Sequence, residues 1–105
     1  MAIKPEYLET FRRIWEAIRR ELKERDVRQI GSRSQALMKL RGEKKRLIAD
    51  LKRPEKKLIP ETFHDIARKG DKVGRIEGLE RIIDGRKFAQ SDFDEFLREK
   101  KRERG

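Results

Sequence analysis

Apolar residues recur every three or four positions near the start of the chain, and this spacing constrains the fold more than any other feature. The stripe consists of Tyr7, Leu8, Phe11, Ile14, Trp15, Ile18 and Leu22. Because an α-helix has 3.6 residues per turn, these residues share one helix face, while charged residues fill the other. Pro5 suits the first turn of a helix. We therefore expect a helix from about Pro5 to Arg25.

A second amphipathic segment follows a turn signal. Gly31 and Ser32 precede it, and Gln35 stands three positions after Ser32, the spacing of a capping box. A helix over residues 33–53 is expected, packed antiparallel on the first helix, so that residues 1–53 form a helical hairpin. The core of the hairpin is predicted to be Leu8, Phe11, Trp15, Ile18, Leu37, Leu40, Leu47 and Leu51.

The C-terminal half predicts shorter helices. Residues 54–60 are interpreted as a linker. A third helix over residues 60–69 is expected to end at Gly70 in the left-handed conformation that closes many helices. Asp71 would then cap a fourth helix, which ends at Gly85.

The last predicted helix opens at Ser91, whose spacing from Asp94 also matches a capping box. Short helices would thus occupy residues 61–97, and residues 98–105 would form a charged tail. Alternation typical of β-strands does not occur, so the predicted fold class is all-α. With 105 residues, we expect a single-domain bundle of four or five helices.

Composition argues against several classes of function. The chain has no cysteine and one histidine, His64, so thiolate metal sites, cysteine nucleophiles and histidine clusters are excluded. We expect no enzyme, no cofactor and no metal site. No apolar run approaches the roughly 18 residues that would span a bilayer. The chain is therefore interpreted as cytoplasmic or virion-associated, without a membrane partner.

Positive charge is concentrated in one segment. Of the formal net charge of +10, residues 33–57 supply +7, from ten Lys and Arg against three acidic residues. Lys39, Arg46 and Arg53 are seven positions apart and would form a row with steps of about 10 Å. The candidate binding residues are Lys39, Arg41, Lys45, Arg46, Lys52, Arg53, Lys56 and Lys57.

Such a surface requires an anionic partner or free solvent. Two partners are expected: the backbone of a nucleic acid, or an acidic protein surface. Aromatic residues, which stack on bases in single-strand binders, are missing from the segment. Contact with nucleic acid would therefore be to the backbone. The first hypothesis is a non-enzymatic binding or assembly protein in a larger complex, such as a phage particle or a nucleoprotein.

The alternative hypothesis is a DNA-binding regulator that uses residues 61–83 as a helix-turn-helix. Its glycine turn would be followed by a recognition helix in which Lys72 and Arg75 read the DNA. Gly74 and Gly78 are four positions apart and would allow another helix to approach closely. That helix would belong to the same chain or to another subunit of a homo- or hetero-oligomer.

Overall fold

The computed structural model describes residues 3–52, 60–85 and 90–104, and every regular element within these ranges is an α-helix. The helices are α1 (Pro5–Glu21), α2 (Glu24–Val27), α3 (Arg33–Leu51), α4 (Pro60–Asp84) and α5 (Gln90–Arg104). The predicted all-α fold class is confirmed. Apart from Pro60, the predicted linker over residues 54–60 lies outside the described residues.

Helix α1 begins at the predicted proline but ends at Glu21 rather than at Arg25. Leu22 has an extended backbone (φ −113°, ψ 156°), and α2 begins two residues later. In one continuous helix Val27 would lie about 180° from Ile18, on the solvent side. The break instead brings Val27 into the core, where both residues are fully buried.

The predicted capping interaction at the start of α3 is present. Ser32 Oγ accepts a hydrogen bond from the Gln35 backbone N–H at 3.2 Å, and Gln35 Oε1 accepts one from the Gly31 N–H at 2.7 Å. A third cap comes from α5, because Asp94 Oδ1 accepts from the Arg33 N–H at 2.6 Å. Three of the N–H groups at this helix start are thus satisfied by side chains.

The predicted break at Gly70 is wrong. Helix α4 runs for 25 residues through this position, and no described glycine has a positive φ. A glycine inside a helix costs about 1 kcal/mol, whereas a break leaves backbone donors and acceptors without partners. Lys69 also holds the first half of α4 to its surroundings, since its Nζ lies 3.1 Å from Asp65 and 3.7 Å from Asp50 of α3.

The capping box predicted at Ser91 is also wrong. Helix α5 begins at Gln90, so Ser91 lies inside the first turn, and the Asp94 carboxylate caps α3 instead. The predicted charged tail is helical as far as Arg104. Ion pairs between successive turns support it: Arg98 with Glu95 (2.6 Å), Arg102 with Glu99 (3.0 Å) and Lys100 with Glu103 (3.5 Å).

The core draws on all five helices. Six of the eight predicted core residues are buried, while Leu8 and Leu51 are half-buried. An aromatic cluster joins α1 to α5, with the Phe11 ring centroid 5.2 Å from that of Phe93 and 5.7 Å from that of Phe96. The C-terminal helix is therefore part of the core rather than a cover over a finished hairpin.

Helix α3 packs most extensively against α4, and α1 contacts each of them less extensively. This differs from the predicted N-terminal hairpin, in which α1 was the main partner of α3. Ion pairs show that α3 and α4 are antiparallel: Arg33 with Asp84 (3.5 Å), Lys44 with Glu80 (2.9 Å) and Asp50 with Lys69 (3.7 Å). The pair with Glu80 accommodates Lys44 inside the apolar stripe of α3, because it offsets the charge of a half-buried ammonium.

Candidate polyanion-binding surface

Five of the eight predicted basic residues fall in the described part of α3 and its C-cap: Lys39, Arg41, Lys45, Arg46 and Lys52. The other three, Arg53, Lys56 and Lys57, lie outside the described residues. The five differ strongly in how far their charge is already offset by nearby carboxylates. That difference decides which of them can serve a partner.

Two members of the predicted row already form ion pairs and hydrogen bonds within the protein. Lys39 Nζ lies 3.6 Å from Asp26 and 2.5 Å from Gln29 Oε1, and only 22% of its side chain is exposed. Arg46 donates to Glu43 through Nε at 2.7 Å and also lies 3.5 Å from Asp50. These two cations stabilise α3 against α2 and against its own turns, so they offer little free charge.

Lys45 and Lys52 are exposed, and no carboxylate in the described ranges lies within ion-pair distance of either one. Arg41 is 58% exposed, with its Nε 3.6 Å from Glu80. We define the outer face of α3 as the exposed stripe Met38, Arg41, Lys45, Ala49 and Lys52, which spans about 21 Å along the helix. Its spacing of three or four residues places all five on one side of α3.

The outer face carries no exposed acid. The two carboxylates of α3 are Glu43, which is buried, and Asp50, which is half-buried and paired with Arg46 and Lys69. Both point away from the stripe of free lysines. The charge of Lys45 and Lys52 is therefore not cancelled by α3 itself, whereas the charge of Arg41 is partly offset by Glu80 of α4.

A groove between α2 and α3 adds two cations that the sequence analysis missed. It has a volume of about 300 Å³ and is lined by Lys23, Arg25, Asp26, Met38, Lys39, Gly42, Glu43 and Arg46. Lys23 and Arg25 are exposed, and no described carboxylate pairs with them. They were missed because α1 was predicted to continue through Arg25, and only the break at Leu22 turns them toward α3.

A second basic groove lies between α1 and α5, with a volume of about 420 Å³ and the lining residues Glu9, Arg12, Arg13, Trp15, Glu16, Arg20 and Lys100. Its acids are partly engaged, because Glu9 pairs with Arg13 at 3.2 Å and Glu16 with Arg19 at 3.6 Å. No function was predicted for this region from the sequence. Its cations lie on two helices that are distant in sequence, so the charge density along the chain does not reveal them as one cluster.

The residues predicted to read DNA occupy a different setting. The Arg75 guanidinium donates from Nε to Glu21 at 2.9 Å and from a terminal nitrogen at 3.4 Å, which ties α4 to α1. This hydrogen bond, with the attraction of the charges, raises the pKa of Arg75 above its ordinary value. Because α4 is continuous, residues 61–83 do not form the two-helix unit of a helix-turn-helix.

Gly74 and Gly78 do not mediate close packing among the described residues. A Cβ placed on either residue would meet no atom within 4 Å, and Gly74 is exposed. The intramolecular contact considered for this pair is therefore wrong for the described residues. No described residue covers the pair.

The described ranges hold no group of three or more His, Cys, Asp or Glu residues arranged to bind a metal ion. His64 is exposed on α4. Of the helices described, none combines the length and the apolar character needed to cross a bilayer. Comparison of the chain with protein-family models, curated proteins and solved structures found no match.

Proposed function

We propose that this protein is a non-enzymatic binding component of a larger assembly, and that the outer face of α3 contacts the phosphate backbone of a nucleic acid. The proposal is based on whether the cations of that face form ion pairs with carboxylates of the protein. Lys45 and Lys52 are exposed, no described carboxylate pairs with either one, and none of the five residues of the stripe is acidic. A phosphate approaching Lys45 and Lys52 meets no exposed described carboxylate of α3, whereas Arg41 beside them is partly offset by Glu80 of α4.

Backbone contact is favoured over sequence readout. The exposed stripe has no aromatic residue to stack on bases. Lysine ammonium groups neutralise phosphates without distinguishing between base pairs. Lys23 and Arg25 would extend the contact across the groove between α2 and α3. The assembly would be a nucleoprotein or a phage particle, in the cytoplasm or the virion.

The experiment compares two variants that carry the same change in charge. Lys45→Glu with Lys52→Glu alters the outer face of α3, whereas Lys4→Glu with Arg102→Glu alters an exposed residue just before α1 and one in α5. Affinity for a nucleic-acid duplex is measured over a series of salt concentrations. Each phosphate contact contributes about 0.9 to the slope of log affinity against log salt, so the first variant should lower the slope by about 2 and weaken binding at least tenfold.

The control pair should bind nearly as well as the parent protein, and a scrambled duplex should bind as tightly as any other. Equal losses in the two variants would show that only net charge matters. Strong discrimination between duplex sequences would contradict backbone contact.

An acidic protein surface is a second candidate partner, and Met38 favours it. Met38 is 59% exposed and lies among the cations. Methionine is enriched in protein interfaces. Met38→Ser should weaken binding to an acidic protein, because an apolar contact is lost. The same change should leave duplex affinity and its salt slope unchanged.

A further inference from the structure

Helix α4 presents a second surface that contacts none of the other residues that the structure describes. We define the open face of α4 as Phe63, Ala67, Gly70, Gly74, Gly78 and Ile82, which follow one another at steps of three or four residues. Phe63 is 55% exposed and Ile82 50% exposed. A Cβ on any of the three glycines would meet nothing within 4 Å. The face thus has a large apolar side chain near each end and three glycines between them, with the exposed Arg81 beside Ile82 on the same side of the helix.

We propose that this face binds the same face of a second copy of the chain, with the two α4 helices antiparallel about a two-fold axis level with Val73. The inference is independent of the proposed function of α3. A two-fold contact requires a surface that complements itself. The charges and the apolar ends of α4 meet this requirement.

The charges beside the open face are self-complementary. Asp71 and Arg75 are exposed on the same flank of the face, four residues apart. Antiparallel packing brings like flanks together, so Asp71 of each copy lies level with Arg75 of the other. The four side chains then alternate in sign around the axis, and each Arg75 keeps its ion pair with Glu21.

The same charges disfavour other alignments of the two α4 helices along their axes. If the two-fold axis moves by two residues toward the N-terminal end of α4, it lies level with Asp71, and Asp71 then faces Asp71 of the second copy. A shift the other way places Arg75 against Arg75. Juxtaposed like charges destabilise an interface, so the alternating arrangement around Val73 is preferred.

The apolar ends agree with this register. An axis at Val73 brings Phe63 of one copy to within one residue step of the level of Ile82 of the other, so each end of the contact carries an exposed apolar side chain from both copies. Small residues between them let the helices approach closely. From Phe63 to Ile82 the face is about 29 Å long, and one helix pair of that length is at the small end of interfaces. The dimer should therefore dissociate on dilution.

The first test measures the mass of the full chain by sedimentation as its concentration rises. A shift from the 12.6 kDa monomer toward twice that mass is expected. Asp71→Arg should abolish the shift, since it sets like charges against each other. Glu16→Arg, an equal charge change on exposed α1, should leave the shift intact. A monomer at all concentrations, or equal behaviour of the two variants, would overturn the proposal.

The second test uses the absence of cysteine from the chain. Gly74→Cys places a thiol on the open face near the two-fold axis, and helices this close can bring the Cα atoms within disulfide range. Gly42→Cys is the matched control, because Gly42 is an exposed helical glycine of α3 with nothing within 4 Å. Under mild oxidation only the Gly74 variant should form a covalent dimer. Equal cross-linking of both, or of neither, would contradict the contact.

Discussion

At the residue scale, the structure divides the charged side chains into those that hold the fold together and those that remain available. Glu21 is 7% exposed on its side chain and is matched by Arg75, while Glu43 is buried against Arg46. Removing one member of such a pair leaves a poorly solvated charge, which costs more than an exposed ion pair contributes. Lys45 and Lys52 are exposed, and neither forms an ion pair with a described carboxylate.

Asp94 illustrates a charged residue whose role is structural. Asp94→Ala should lower the free energy of unfolding by about 1 kcal/mol, because the Arg33 N–H at the start of α3 loses its acceptor. Asp94→Asn keeps an acceptor oxygen and should lose less. Chemical denaturation measures both variants, and an alanine variant as stable as the parent would show that the cap contributes nothing.

At the element scale, α4 is the helix that departs most from expectation. It crosses three glycines without a break, and its buried residues Ile76, Leu79 and Ile83 lie in its second half. From Phe63 to Asp71 no described side chain is fully buried. The second half is therefore held by tertiary packing, while the first half depends on helix propagation, on Lys69 and, in our proposal, on a second copy.

Gly70→Ala distinguishes the continuous helix from the predicted turn. In a helix with open space around this position, alanine should raise the free energy of unfolding by up to about 1 kcal/mol. In a left-handed turn the same change would introduce strain and lower it. Thermal or urea unfolding gives the sign, and Gly42→Ala provides a reference in another open helical position.

At the scale of the whole molecule, charge both stabilises and opposes the fold. The net charge of +10 implies self-repulsion, and ion pairs between helices counter it at particular points. Ion pairs between side chains link α3 to α4 near both ends of the helix pair, and the ion pair of Glu21 with Arg75 links α1 to α4. These links require ionised carboxylates.

Stability should therefore fall in acid. Hydrogen bonds from Arg68 and Lys69 lower the pKa of Asp65 below its ordinary value of 3.8, and a hydrogen bond from Arg98 lowers the pKa of Glu95 below 4.5. A carboxyl with a lowered folded-state pKa stabilises the protein above its unfolded pKa, and this contribution is lost as pH falls through the folded value. Melting temperatures should drop below about pH 4, and an unchanged melting temperature at pH 3 would contradict this expectation.

The all-α class, the start of α1, the cap of α3 and most of the core were predictable from residue spacing, because these features depend on contacts within one or two helical turns. The basic segment was also evident from the order of residues. The break of α1 at Leu22, the helical state of Gly70 and the capping of α3 by Asp94 became apparent only in the folded chain. The fold likewise separated the occupied Lys39 from the free Lys45. Each of these outcomes depends on a residue distant in the chain, and local spacing carries no information about such a partner.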